Sequence, residues 1–247
     1  MTNRLSDSAQ PLSSLRFYRT DAVSCSYLMG RQSASLVAVP PEQVTSSVYG
    51  DLVRHGFRRS GHLAYRPACS HCQTCIPIRV PVQQFEPDRS QRRCMNQHGN
   101  LQGHELPLLY TEEHFRLYQR YQARRHPGGG MDADRAEQYV QSLLQSYVDS
   151  RIIEFRENNE LRMVSVIDVL DDGLSSVYTF FDPDIQGAGL GTYSILWQIS
   201  QCLANELPYL YMGYWIRDCR KMSYKARFKP VEGFIEGKWQ EFDAKLS

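Results

Sequence analysis

The chain has 247 residues, 42% of them hydrophobic and 22% charged, and a formal net charge of +1. This is the composition of a soluble globular protein with material for one large domain or two modest ones. It excludes a chain threaded through a membrane by helices, because no apolar run approaches the roughly 20 residues a spanning helix needs. The net charge conceals an asymmetry: residues 1–126 carry 16 Arg, no Lys and nine acids, and residues 127–247 carry 12 bases and 18 acids. A basic first half suits an anionic partner, and equally a solvated arginine surface.

In chain order, residues 1–14 are polar and lack the apolar core of a signal peptide, so a disordered tail and a cytoplasmic location are expected. Leu15 to Thr20 reads as a short strand. Pro40-Pro41 opens a helix that runs to about Phe57, with Val44, Val48, Leu52 and Val53 at helical spacing. His62 to Arg66 and Ile76 to Phe85 read as strands. Pro77 and Pro81 mark the second as an edge or irregular strand. Residues 86–104 are polar and form the candidate boundary between an N-terminal region (15–104) and a larger domain (105–247). Glu112 to Arg125 is an amphipathic helix that stops at His126-Pro127-Gly128, and another follows Asp132. Arg151 to Arg156, Leu161 to Leu170 and Ser175 to Phe181 are strands with short links, hence an antiparallel meander. A helix spans Gly189 to Glu206, a strand Tyr209 to Ile216 and a short helical segment Arg220 to Phe228. Phe234 to Phe242 reads as a last strand.

The link between the third meander strand and the following helix reads Phe181-Asp182-Pro183-Asp184-Ile185-Gln186-Gly187-Ala188-Gly189-Leu190-Gly191. Glycines permit a tight turn and close approach of backbone to ligand. Free N–H groups at the helix start, aided by the helix dipole, favour an anion such as phosphate. A glycine-rich turn with no ligand has the same appearance. The order of elements around the loop resembles the GNAT acyltransferases, in which this loop grips the pyrophosphate of coenzyme A. The resemblance implies an α+β fold, a mostly antiparallel sheet flanked by helices, preceded by a smaller cysteine-containing α/β region.

Several further segments carry a narrower resemblance. They are Gly56-Phe57-Arg58-Arg59-Ser60-Gly61, Tyr65-Arg66-Pro67-x-Cys69-x-x-Cys72-x-x-Cys75-x-Pro77-x-Arg79, Tyr178-Thr179-Phe180-Phe181-Asp182-Pro183, Tyr211-Met212-Gly213-Tyr214-Trp215-Ile216 and Lys221-Met222-Ser223-Tyr224-Lys225. Together, over about Leu15 to Trp239, the chain resembles the bacterial aspartate/glutamate leucyltransferases, relatives of the eukaryotic arginyl-tRNA–protein transferases. The resemblance implies transfer of leucine from leucyl-tRNA to the α-amine of proteins that begin with Asp or Glu, marking them for degradation by the N-degron route. Transfer of arginine instead, or acetylation from acetyl-coenzyme A, are the alternatives.

The chemistry is an ester exchanged for an amide by an amine of reference pKa near 8, so a mild base and good positioning suffice, and no cofactor is required. Gln186, Gly187, Gly189 and Gly191 are expected to hold the 3′ end of the tRNA. The basic stretch Arg217 to Lys229, above all Lys221 and Lys225, is expected to meet its backbone. An acidic N-terminus needs a fixed guanidinium. The resemblance points to Arg79, with Arg58, Arg59 and Arg66 as competitors. Asp168 and Tyr178, on strands flanking the acyl site, are the candidate catalytic groups. The spacing Cys69-x-x-Cys72-x-x-Cys75 suits zinc or an iron–sulfur cluster with Cys25 as fourth ligand, ahead of His71 and Cys94. Reduced, packed thiols are the equal alternative. Against the eukaryotic relatives, a second cysteine after Cys25 and a downstream cysteine pair are absent.

Overall fold

The computed structural model describes residues 15–126, 135–185 and 189–243. The tail 1–14, the start of the helix expected after Asp132, and Gln186 and Gly187 lie outside them. Strands β1 (Arg16–Arg19), β4 (Ser35–Val39), β5 (Arg58–Ser60) and β6 (Leu63–Pro67) form a small sheet in the order β1-β4-β6-β5. The ribbon β2 (Val23–Ser24) and β3 (Gln32–Ser33) is part of the β1-to-β4 connection. The expected helix from Pro40 is shorter than its periodicity suggests. Pro41–Gln43 is a 3-10 turn, and Thr45 then turns extended so that its hydroxyl accepts from the Val48 amide and caps α1 (Ser46–Arg54).

Eight strands make the main sheet: β7 (Ile76–Pro81), β8 (Gln102–Leu106), β9 (Ser150–Glu157), β10 (Glu160–Leu170), β11 (Gly173–Phe181), β12 (Tyr209–Trp215), β13 (Glu232–Ile235) and β14 (Lys238–Glu241), in the order β14-β13-β7-β12-β11-β10-β9-β8. Every pairing is antiparallel except β11 with β12. The meander β9–β11 is as the short links require. The expected last strand divides at Glu236-Gly237, both with positive φ, into the hairpin β13–β14. The expected polar link 86–104 is α2 (Arg89–Gln97) followed by β8. Its helix is fixed by a reciprocal cap between Asp88 and Gln91 and not by an apolar face, since Gln91 is its one buried residue.

The alternation along β10 assigns the two faces of the sheet. Met163 and Ile167 point to α5 (Leu190–Ala204), which with α2 covers one face. Val164 and Val166 point to α3 (Glu112–Arg125), α4 (Ala136–Tyr139) and the turn 140–144, while Leu170 points to α1 and the small sheet. α5 is pinned to the sheet by a buried hydroxyl chain, Ser165–Ser194 at 2.9 Å and Thr179–Ser194 at 3.1 Å, to which Gln198 donates. β7, expected to be an edge or an irregular strand, is internal, between β13 and β12, and its pairing is irregular. Its prolines are accommodated because β13 pairs it only at Arg79 and Ile78 and the β12 ladder shifts register there. The sheet therefore draws strands from both sides of residue 104. No helix among the described residues is long and apolar enough to cross a membrane.

Candidate active site

The site begins where the parallel pair ends. β11 and β12 are in register at Gly173–Tyr209, Leu174–Leu210 and Ser175–Tyr211, and pair no further. Beyond that point both strands carry backbone carbonyls with no ladder partner across the opening, and each must find another donor. On β11, Arg58 Nη2 donates to the Ser176 and Val177 carbonyls, both at 2.9 Å. On β12, Lys225 Nζ donates to the Met212 and Tyr214 carbonyls at 2.8 and 3.0 Å. Between those two carbonyls is Gly213. Its φ of 72° and the register shift beside it make a bulge, and a Cβ there would meet Arg58 Nη1 at 2.2 Å. The glycine is required both for the backbone and for the guanidinium lying on it.

Arg58 and Lys225 thus converge on one bulge. Both are partly buried, and among the described residues no carboxylate lies within ion-pair reach of either. Around them stand Tyr214, whose hydroxyl donates to the Gly56 carbonyl at 2.9 Å, together with Tyr27, Tyr65 and the thiol of Cys219. Burial, and then the Arg58 charge, pull the Lys225 ammonium down to about 7.

The turn expected to bind phosphate leads into the N-terminus of α5. Gly189 caps it in the left-handed region at φ 62°, with Cys94 of α2 against it: the thiol donates to the Gly189 carbonyl at 3.5 Å. Leu190 and Gly191 open the first turn; the Thr192 and Tyr193 amides donate back to the Gly189 carbonyl at 2.8 and 2.9 Å, and the amides before them have no acceptor inside the helix. Lys221 is exposed and reaches His126, at the end of α3, at 3.1 Å. That imidazole is held below its ordinary range by burial and by the lysine.

The other expected site residues are placed differently. Asp168 is fully enclosed. Its carboxylate takes three hydrogen bonds from Arg59, at 2.6 to 2.9 Å, and one from Ser150 at 2.7 Å, so it fastens the small sheet to the main one and has no path to a substrate. Tyr178 accepts from Gln122 of α3 at 2.7 Å. Arg79 donates to Glu232 at 2.6 Å, and its guanidinium is stacked 3.6 Å from Tyr209 and 4.5 Å from Trp239. Its charge is matched within the protein, at the closed end of the β11–β12 pair. Arg66 donates to the His55 carbonyl and lies over Phe57.

Cys25, Cys69, Cys72 and Cys75 are free thiols, and they do not fit the expected metal site: no group of three or more Cys, His, Asp or Glu among the described residues could hold an ion. Cys69 donates toward the Ala34 carbonyl, Cys72 lies 3.2 Å from the Thr74 hydroxyl, and Cys94 is away at α5. Burial and neighbouring thiols push Cys75 up to about 12, a protonated thiol at neutral pH. Sequence reasoning placed Lys225 on the tRNA and gave Gly213 no role. The signal was a glycine inside an otherwise apolar strand.

Residues 23–93 match the model of the arginine-tRNA-protein transferase N terminus, and residues 113–235 that of its C terminus. Curated relatives named aspartate/glutamate leucyltransferase are 55% identical in Nitrosospira multiformis, over 93% of this chain and 92% of that one. They are 50% identical in Thiobacillus denitrificans, over 95% and 98%, and 51% in Polynucleobacter necessarius, over 94% of each. Among solved structures, L-PGS from Bacillus licheniformis superposes with a TM-score of 0.51 at 12% identity, over 66% of this chain and 59% of that one, a likeness of fold. On sequence, the chain belongs to the arginine-tRNA–protein transferase family, within its aspartate/glutamate leucyltransferase group.

Proposed function

We propose that the β11–β12 opening is where leucine passes from leucyl-tRNA to the α-amine of a protein beginning with Asp or Glu, on a GNAT-like core. The chain is an aminoacyl-tRNA–protein transferase, as both family models and its relatives' names indicate. Arg58 carries the finer reading. It is a partly buried cation at the opening with no acidic partner, and its Nη1 and Nε are free of protein acceptors among the described residues, whereas Arg59 is committed to Asp168. A carboxylate there completes a charge pair that the fold leaves incomplete. Arg79 already has Glu232, and Arg66 lies on the surface of Phe57.

In this reading the first turn of α5, with Gly189 and Gly191 and with Gln186 and Gly187 before it in sequence, takes the terminal phosphate or ribose of the tRNA. Lys221 and the exposed Arg217 and Lys229 follow the acceptor stem. The neutral α-amine attacks the leucyl ester carbonyl. The tetrahedral intermediate collapses, the C–O bond to the ribose breaks, and the ribose oxygen leaves with the proton the amine gives up. Positive charge at the opening disfavours protonation of the attacking amine and favours the oxyanion. Tyr178 is retained as a candidate donor to that oxyanion. The names of the curated relatives support leucine as the transferred residue. The modified proteins would carry an N-degron and be degraded, and the compartment is the cytoplasm.

The test offers labelled leucyl-tRNA or arginyl-tRNA to peptides starting with Asp, Glu or Lys. Transfer of leucine to the two acidic peptides alone is expected. Transfer from neither tRNA, or acetylation from acetyl-coenzyme A in its place, would refute the reading.

A further inference from the structure

A lysine and an arginine that share one bulge, with no acid beside either, are costly for a fold to hold. Like charges repel, and partial burial removes the water that would otherwise solvate them. Orphaned carbonyls explain part of the arrangement, since each cation satisfies two. They do not require two charges, because a neutral donor satisfies a carbonyl equally. Lys225 also comes from outside the strands, from the 3-10 segment Arg220–Arg227, and turns its Nζ back onto β12 while Lys221 of the same segment remains exposed. The two lysines that look equivalent in sequence face different things.

We propose that Arg58 and Lys225 together form a two-cation seat for the side-chain carboxylate of the acceptor's N-terminal residue. Lys225 is then a specificity-determining residue for the acceptor and not a tRNA contact. This rests on the acceptor assignment made above. Lys225 spends two of its three N–H donors on the Met212 and Tyr214 carbonyls and keeps one for a ligand. Arg58 spends Nη2 on β11 and keeps Nη1 over Gly213, between the two lysine-bound carbonyls. A carboxylate can accept from both at once. The seat also rejects what must stay out of it, the ammonium of the leucyl group and the side chain of a basic N-terminus.

Proton uptake follows. The charged and titratable groups facing Lys225 are Arg58 from β5 and Cys219 from the loop before its own segment, and neither is a carboxylate. The lysine is therefore only partly charged near neutral pH. A carboxylate in the seat favours its charged form, so an acidic acceptor binds together with a proton, and its KM rises as the pH climbs above 7.

The experiment compares wild type, Lys225→Met and Lys225→Arg. It measures kcat and KM for an Asp-starting peptide from pH 6.5 to 9, leucyl-tRNA binding across a salt series, and calorimetry of the peptide in buffers of different ionisation enthalpy. Lys225→Met is expected to raise KM about 10- to 100-fold, the loss of one charge-assisted hydrogen bond, with tRNA affinity and salt slope unchanged. Lys225→Arg, which preserves the charge and guards against misfolding, is expected to retain most of the affinity and to abolish proton uptake. Weaker tRNA binding with a flattened salt slope and an unmoved peptide KM would overturn the proposal, as would no change in either. If wild type binds the Asp-starting peptide with proton uptake yet transfers nothing, the reaction assignment fails and the seat stands.

Discussion

Arg59 and Lys225 show how differently a buried cation can be treated within one molecule. Arg59 has a complete partner in Asp168, with side-chain exposures of 3% and 0%. Removing one member leaves the other charged and enclosed, a loss of about 3–5 kcal/mol. Asp168→Ala is accordingly expected to lower stability by that amount in urea denaturation, while the folded fraction keeps its acceptor KM. Were Asp168 the base, activity would vanish in protein of native stability. Arg79→Ala belongs with it: it unpairs Glu232 and unstacks Tyr209 and Trp239, so a stability loss of about 1–3 kcal/mol with an unchanged KM for acidic peptides is expected. Lys225 shows the opposite economy. Its pKa is about 7 when folded, against roughly 10.4 when unfolded. Between those values the unfolded chain binds the extra proton, so stability rises as pH goes from 7 toward 10. Denaturation across that window is expected to show this slope in wild type and to lose it in Lys225→Met.

Among elements, the bulge in β12 does what no single side chain does: it brings Arg58 from β5 and Lys225 from the 3-10 segment to one point. Gly213→Ala tests it. The new methyl group overlaps the guanidinium, and an L-residue is strained at φ 72°. Displacement of Arg58, a KM for Asp- and Glu-starting peptides raised at least tenfold, and unchanged leucyl-tRNA binding are expected. A variant with native KM would mean that the guanidinium position is immaterial. This element also marks what can be read in the sequence. The meander, α3 and α5 are local patterns with strong periodicity or punctuation, and they fall where the residues predict. β5, β8 and α2 are short or polar and owe their form to partners distant in the chain or to a side-chain cap, so hydrophobic spacing does not reveal them. The candidate site divides in the same way. Gly189 and Gly191 announce themselves beside a helix start. The partners of Asp168, Arg79 and Lys225 are separated from them by 109, 153 and 11 to 13 residues, and only the fold brings them together.

For the whole molecule, composition suggests two halves, a basic one and an acidic one, and the sheet joins them. β7 carries Ile78 and Val80, both among the most buried side chains of the α5 core, and it separates β12 from β13. A fragment of residues 105–247 would lose β7 and the first part of β8, expose the β12 ladder as an apolar edge and strip the core beneath α5. It would also lack Arg58, one side of the seat. Residues 1–104 would in turn lose the Asp168 carboxylate that holds Arg59. The two are therefore expected not to fold separately: each alone should give no cooperative urea transition, and the larger should aggregate. Coexpressed, they should reassociate, because the cut falls within the five-residue edge strand β8 and leaves β7 and every central strand whole. The check is the transition of each fragment and of the pair, with leucyl transfer measured on the reassembled complex. A soluble 105–247 fragment with a cooperative transition would show the two halves to be independent, and the basic half would then be an attachment to the transferase core instead of a wall of its active site.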